Sequence, residues 1–290
     1  MSESAPCRNQ PSPNNVRIDE RKDTYELTNG QVVCGLHGLS YCRICGIDYR
    51  NAHPPATRPP TASSTTPKSR GGAPERRKGT GRVFPAEFNP SSATVTPTEL
   101  FSGTIPGKKR FRYVHREDPG KILIFAGEAC LDNVHSKPLA GWALVTGPDS
   151  EISFALENKG PWGFPAAHTR NRAELRAVIA ALRLSNWTRY GWDSIVIASE
   201  SAYVVQGATI YARTWFNNGW KTAGGKYVEN KDLWELLLGE VERWHDLGLL
   251  VQLWHISRQC NEGVDEIARE AAISRTITST TFMEVTQNLF

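Results

Sequence analysis

Ile122-Leu123-Ile124-Phe125-Ala126-Gly127-Glu128-Ala129-Cys130-Leu131-Asp132-Asn133 opens on four consecutive apolar side chains and closes on a polar turn. Apolar residues without alternation predict a strand buried on both faces. Downstream, Trp142 to Val145 and the alternating Ile152, Phe154 and Leu156 read as two more strands of an antiparallel meander. Asn171 to Trp187 reads as a helix, because Leu175, Val178, Ile179 and Leu182 recur at i, i+3, i+4 and i+7. Ile195-Val196-Ile197 is a further buried strand. Helical segments follow near Ser201–Gln206 and Asn230–Leu247, the second with Leu233, Leu237, Val241 and Trp244 on one face. Leu249 to His255 forms the last strand, and a final helix from about Asn261 carries Val264, Ile267, Ala268 and Ala271. The order βββαβα(α)βα predicts an α/β fold, a mixed five-stranded sheet flanked by helices.

The chain has 290 residues and a net charge of +4. That near-balance conceals a split. Residues 1–119 hold 18 basic and 11 acidic side chains, while residues 120–290 hold 16 and 19. A basic front half on a globular body is the pattern of a nucleic-acid-facing arm; an arm that only aids solubility has the same composition. No apolar run approaches the ~20 residues needed to span a bilayer. Met1 to Asn14 is polar and contains proline, unlike a secretory signal. Six cysteines are too few for a disulfide scaffold. These features predict a soluble intracellular protein, nuclear or cytoplasmic, with no membrane contact. All nine tryptophans lie between Trp142 and Trp254, which places the main core there.

The same composition divides the chain. Residues 1–30 are polar and aperiodic and are expected to be disordered. Residues 51–119 read as a basic linker rich in Pro, Ser and Thr, with too little apolar surface to offset the entropy of ordering. The globular domain spans 120–273, and residues 274–290 read as a loose polar tail. Within 31–50, Cys34-x₂-His37-x₄-Cys42-x₂-Cys45 offers three thiolates and an imidazole. That donor set suits a structural Zn²⁺ and predicts a small knuckle, with Gly35, Gly38 and Gly46 supplying turns. Four unligated side chains are the simpler alternative. A knuckle here would bind nucleic acid with the linker or recruit a protein partner.

Several blocks together resemble type 1 ribonuclease H over about residues 120–273. Ile124-Phe125 followed by Ala129 to Asn133 is similar to that family's first strand and turn, and Thr169-Arg170-Asn171-Arg172-Ala173-Glu174-Leu175 to the start of its first helix. Ile197 to Val204 resembles its fourth strand. Trp215, Gly219-Trp220-Lys221-Thr222 and Asn230 to Trp234 match its handle, and Asn261-Glu262 with Asp265-Glu266-Ile267-Ala268 its last helix. The resemblance implies a Mg²⁺- or Mn²⁺-dependent endonuclease that cuts the RNA strand of an RNA–DNA hybrid, with four carboxylates around two cations. Such cations, about 4 Å apart, activate a water and stabilise the leaving oxygen. It further implies that Glu174, Glu200 and Asp265 are catalytic metal ligands. Cys130, Asn133, Thr169, Arg170 and Asn171 would touch the hybrid's backbone and minor groove, and Trp220 and Lys221 its DNA strand. Taken singly, Glu174 also reads as a helix-start acid, Asp265 as a solvated helix acid, and Trp215 and Trp220 as core.

Two positions depart from the family pattern. Gly127 stands where the family has the Asp that bridges both cations, and Glu200 stands where it has Asp. The extra methylene of Glu200 moves its carboxylate by about 1.5 Å, against a tolerance of roughly 0.5 Å in a catalytic constellation. Glu128 neighbours Gly127, but consecutive strand side chains face opposite ways, so it is expected to face away unless the register slips. The family's mobile His has no counterpart, and His255 reads as a strand end. Impaired cleavage is the expectation. A catalytically inactive hybrid- or RNA-binding module, or a protein-interaction scaffold, is the alternative.

Overall fold

The computed structural model describes residues 75–103, 112–131, 138–274 and 280–285, together with the backbone of four short strands nearer the N-terminus. The chain divides into two compact units, residues 1–58 and 59–290. In the first, β1 (Thr24–Glu26) pairs antiparallel with β2 (Val32–Cys34), and β3 (Tyr41–Cys42) with β4 (Ile47–Asp48). Residues 24–26 are therefore extended and paired within the stretch expected to be disordered; strands this short follow from cross-strand pairing rather than periodicity. The Zn²⁺ set Cys34, His37, Cys42 and Cys45 lies outside the residues whose side chains are described.

The second unit is built on β8 (Lys121–Leu131), whose apolar start is buried as expected. Strands β8, β9 (Leu139–Gly147) and β10 (Ser150–Ala155) form the antiparallel meander. On its other edge β8 runs parallel to β11 (Ser194–Ser199), which runs parallel to β12 (Leu250–His255). These are the five strands predicted. Helix α2 (Arg170–Arg183) begins at Thr169, whose side chain accepts a hydrogen bond from Arg172 N–H and so caps it. Helices α3 (Ala202–Gln206) and α4 (Ala212–Asn217) flank a widened turn at Gly207–Tyr211, and α5 (Lys231–Asp246) and α6 (Glu262–Ser274) complete the set.

Strand alternation divides the core between the two faces of the sheet. Ile122, Ile124 and Ala126 pack with α2 and α5; Leu123, Phe125 and Ala129 pack with Val264 and Ala268 of α6. Helix α6 approaches β9 so closely that a Cβ on Gly141 would stand 2.4 Å from the Ala268 carbonyl oxygen. Only glycine permits that approach, which sets how deeply Asp265 is brought toward the sheet.

Among the described residues the sheet has eight strands, not five. Strand β5 (Ala86–Glu87) extends it beyond β12, while β6 (Phe101–Gly103), preceded by the single turn α1 (Pro97–Leu100), pairs with β7 (Tyr113–His115), which pairs with the start of β8. Part of the expected linker is thus folded. Phe88 and Phe101 cluster with Trp254 over the half of the sheet face that α6 leaves free. Arg76, Lys78 and Arg82 pair with Glu284, Glu235 and Asp246 at 2.5, 2.8 and 2.5 Å. A few aromatic anchors and specific ion partners hold a segment whose average composition predicts none of this.

The C-terminal expectation needs the same correction for residues 280–285. Phe282 and Val285 are buried, and Glu284 pairs with Arg183 at 2.6 Å. Arg176 is buried with Glu157 at 2.7 Å, donates to Met283 O, and lies over the rings of Trp142 and Phe282.

Candidate active site

Parallel pairing of β8 with β11 ends at Phe125 opposite Ala198, so Glu200 leaves the sheet level with Gly127 and Glu128. Helix α2 brings Glu174 to this end from one face, and the first turn of α6 brings Asp265 from the other. Each acid is fixed by a polar neighbour. Ser201, the N-cap of α3, donates its hydroxyl to Glu174 Oε2 at 2.5 Å while accepting from Val204 N–H. Asn261, buried just ahead of α6, donates its amide to Asp265 Oδ1 and to Ala126 O, each at 3.2 Å, tying the helix start to β8.

Gly127 faces Asp265. A Cβ there would stand 2.8 Å from Asp265 Oδ1 and 2.8 Å from Val264 Cγ1, so the space of the missing side chain is occupied. Glu128 lies on the opposite face, as alternation requires, and the β8–β9 register is unbroken through Leu131. The expectation that it would thereby miss the acids is wrong, because that face is the one α2 covers. Its side chain is 3 % exposed, with Arg170 Nε 2.8 Å from Oε1. The N–H does not point along a hydrogen-bond line, and among the described residues neither Glu128 oxygen has a hydrogen-bond donor. The contact is electrostatic. Glu200 Oε2 is likewise buried without a hydrogen bond, with Arg258 Nε at 3.9 Å.

These surroundings raise Glu128, Asp265 and Glu174. Burial pushes the Glu128 carboxyl up to about 7; Arg170 opposes this, and the charges of Glu174, Asp265 and Glu200 add to it. Burial and then Glu200 raise Asp265 to about 6 against the Glu128 N–H, Arg258 and Asn261. Glu174 is also raised, by burial first, with Ser201 and Arg170 opposing. Four carboxyls therefore share one electrostatic environment. Glu128 and Asp265 line an open cleft between the end of β8 and α6, with Cys130, Arg170, Arg258 and Arg269 on its walls.

Of the remaining expected residues, Thr169 caps α2 at the surface and Asn171 is half-buried beside it. Asn133 lies outside the described residues. Trp220 is buried at a left-handed φ of 62° against Phe216, and the half-buried Trp215 packs on Trp234. Lys221 is exposed, its ammonium 5.4 Å from the Tyr227 ring centroid. His255 ends β12, where its Nε2 lies 3.0 Å from Glu200 O. Sequence reasoning missed Glu128, Ser201, Asn261 and Arg258. Ser201 and Asn261 carried a usable signal, since each is a capping-type residue immediately before a periodic helix. Arg258 carried none.

The donor set suits a hard divalent cation: carboxylate oxygens, three of them buried without a hydrogen bond. Among the described residues, no three His, Cys, Asp or Glu side chains already stand as a ligand group. A cation would require these side chains to turn toward it.

An α/β domain with a βββαβα order and acids gathered at the carboxyl ends of two adjacent parallel strands is a ribonuclease H-like domain. The RNase H family model matches residues 119–273, and the chain belongs to that family. The ribonuclease H of Solibacter usitatus is 32 % identical over 152 residues, covering 52 % of this chain and 94 % of that protein. The ribonuclease H of Zymomonas mobilis is 39 % identical over 153 residues, covering 53 % and 89 %. Among solved structures, LC9-RNase H1, a type 1 RNase H with the type 2 active-site motif, is 25 % identical with a TM-score of 0.38, over 54 % of this chain and 74 % of that one. Among the described residues no helix is long and apolar enough to cross a membrane.

Proposed function

We propose that this chain binds RNA–DNA hybrids and cuts the RNA strand with Mg²⁺ or Mn²⁺, more slowly than a site with Asp at position 127 would. The observation that carries the reading is the convergence of Glu128, Glu174, Glu200 and Asp265 on one strand end, with buried oxygens free to take a cation. Glu174, Glu200 and Asp265 are the ligands by family position. Bound divalent cations would supply an activated water and charge stabilisation at the leaving oxygen. The protein's own part is to hold Glu174 through Ser201 and Asp265 through Asn261, and to present Arg258 and Arg269 at the cleft where phosphates would arrive. Cys130, Thr169, Arg170 and Asn171, beside that cleft or at the start of α2, would contact the hybrid's backbone and minor groove, where 2′-hydroxyls mark the RNA strand. Trp220 is part of the packing, so Lys221 is the stronger candidate for the DNA strand.

Hybrid cleavage by the full chain in Mg²⁺ or Mn²⁺, lost in Glu174→Ala, is the expected result. Binding without cleavage would leave a hybrid-binding module. No binding at low salt would leave a protein scaffold. For the N-terminal segment we propose one structural Zn²⁺ on Cys34, His37, Cys42 and Cys45, serving nucleic-acid or protein contact. Metal analysis should find one Zn²⁺ per chain, lost in Cys42→Ser, and a zinc-free native chain would contradict it.

A further inference from the structure

We infer that Glu128 takes the place of the acid missing at position 127 as the first-strand ligand of a divalent cation, and that Arg170 holds Glu128 while the cation is absent. The inference rests on the hydrolase reading above and names a ligand that the family pattern does not supply. Position 127 is crowded, since a Cβ there would stand 2.8 Å from Asp265 Oδ1 and from Val264 Cγ1 and both side chains would have to shift. One residue on, the strand places a carboxylate on the α2 face, beside Glu174, without any break in register.

The state of that carboxylate is what points to a ligand. It is 3 % exposed, lines the cleft, and has no hydrogen bond to either oxygen. Burying an ionised carboxylate costs several kcal/mol unless charge and hydrogen bonds offset it. Among the described residues its close cation is Arg170, which makes an off-line contact from a side chain that is itself 55 % exposed. A guanidinium held at one edge and open to water on the other can leave without a large desolvation cost. On cation entry Arg170 would be released at the cleft mouth, where a phosphate could take it.

The test is a Mn²⁺ titration of the full chain, with free Mn²⁺ read by electron paramagnetic resonance, on native protein, Glu128→Gln, Arg170→Gln and Glu174→Gln. Thermal melts check folding, and Glu128→Gln is isosteric and removes a buried charge. Native chain should bind one Mn²⁺, Glu128→Gln should bind it about tenfold more weakly or worse, and Arg170→Gln should bind it more tightly. Native-like affinity in Glu128→Gln overturns the inference; if Glu174→Gln is weakened at the same time, the hydrolase reading survives. Unchanged or weaker binding in Arg170→Gln overturns the placeholder role. A native chain that takes no Mn²⁺ overturns both the inference and the metal-dependent reading.

Discussion

The Oδ1 of Asp265 occupies the position a side chain on Gly127 would need, 2.8 Å from where its Cβ would lie. The glycine is not simply an acid removed from an otherwise standing site. The start of α6 lies directly against the strand at this point.

Restoring the acid should therefore disturb the domain before it helps. In Gly127→Asp the new carboxylate meets both a like charge and the Val264 side chain, and overpacking of this kind costs about 1–3 kcal/mol. Its melting temperature in EDTA is expected below native, with the loss reduced in Mn²⁺, which can bridge the two carboxylates. A variant that melts like the native chain in EDTA would show that the approach of α6 is soft.

Ser201 links helix α3 to Glu174 through one hydroxyl. Ser201→Ala removes a cap worth about 1 kcal/mol and a hydrogen bond to a charged group worth roughly 1.5–3 kcal/mol. Cleavage should fall about tenfold, with Ser201→Thr recovering most of it because the hydroxyl returns. Equal cleavage in Ser201→Ala and native protein would mean that Glu174 needs no positioning.

Asp193 lies at the opposite end of the sheet and gives a pH test independent of the site. Burial first, then Asp118, raises its carboxyl to about 6. A folded-state pKa above the ordinary value means that the folded chain holds the proton more tightly. Its contribution to stability is then fully present near pH 4 and below, and is lost as pH rises through about 6. Asp193→Asn should melt higher than native at pH 8, and the gap should close by about pH 4. A constant gap across that range would contradict the assignment.

The aromatic cover from residues 88–101 should be essential to the domain. Phe101 is buried against Phe88, His115 and Trp254. Truncation to Ala should cost about 3–5 kcal/mol, and a chain cut to residues 119–290 should expose Trp254 and bind a hydrophobic dye. Native-like melting of that shortened chain would show the cover to be dispensable.

The central elements were legible because their signals are local. The apolar start of β8 and the i, i+3, i+4, i+7 pattern of α2 each predict burial without knowledge of a partner. Strands β5, β6 and β7, at two or three residues, are too short to carry a period, and they are held by pairing: β5 on β12, β7 on the β8 edge and β6 on β7. The basic run at 76–82 read as available to a polyanion, yet Arg76, Lys78 and Arg82 meet acids about 150 to 210 positions away. At the site, Glu174 and Asp265 followed from motif position. Glu128 did not, because alternation gives only its face, and this strand end has an acid-bearing helix on each face. Which face matters is a property of the packing, not of the strand.

The central claim is tested most directly by single-turnover cleavage of an RNA–DNA hybrid by the full chain in Mn²⁺, beside Glu174→Ala and an EDTA control. Cutting of the RNA strand by native protein alone, abolished both by the substitution and by EDTA, is the predicted result. Cleavage that persists in Glu174→Ala, or a native chain that binds the hybrid and leaves it whole, would contradict it.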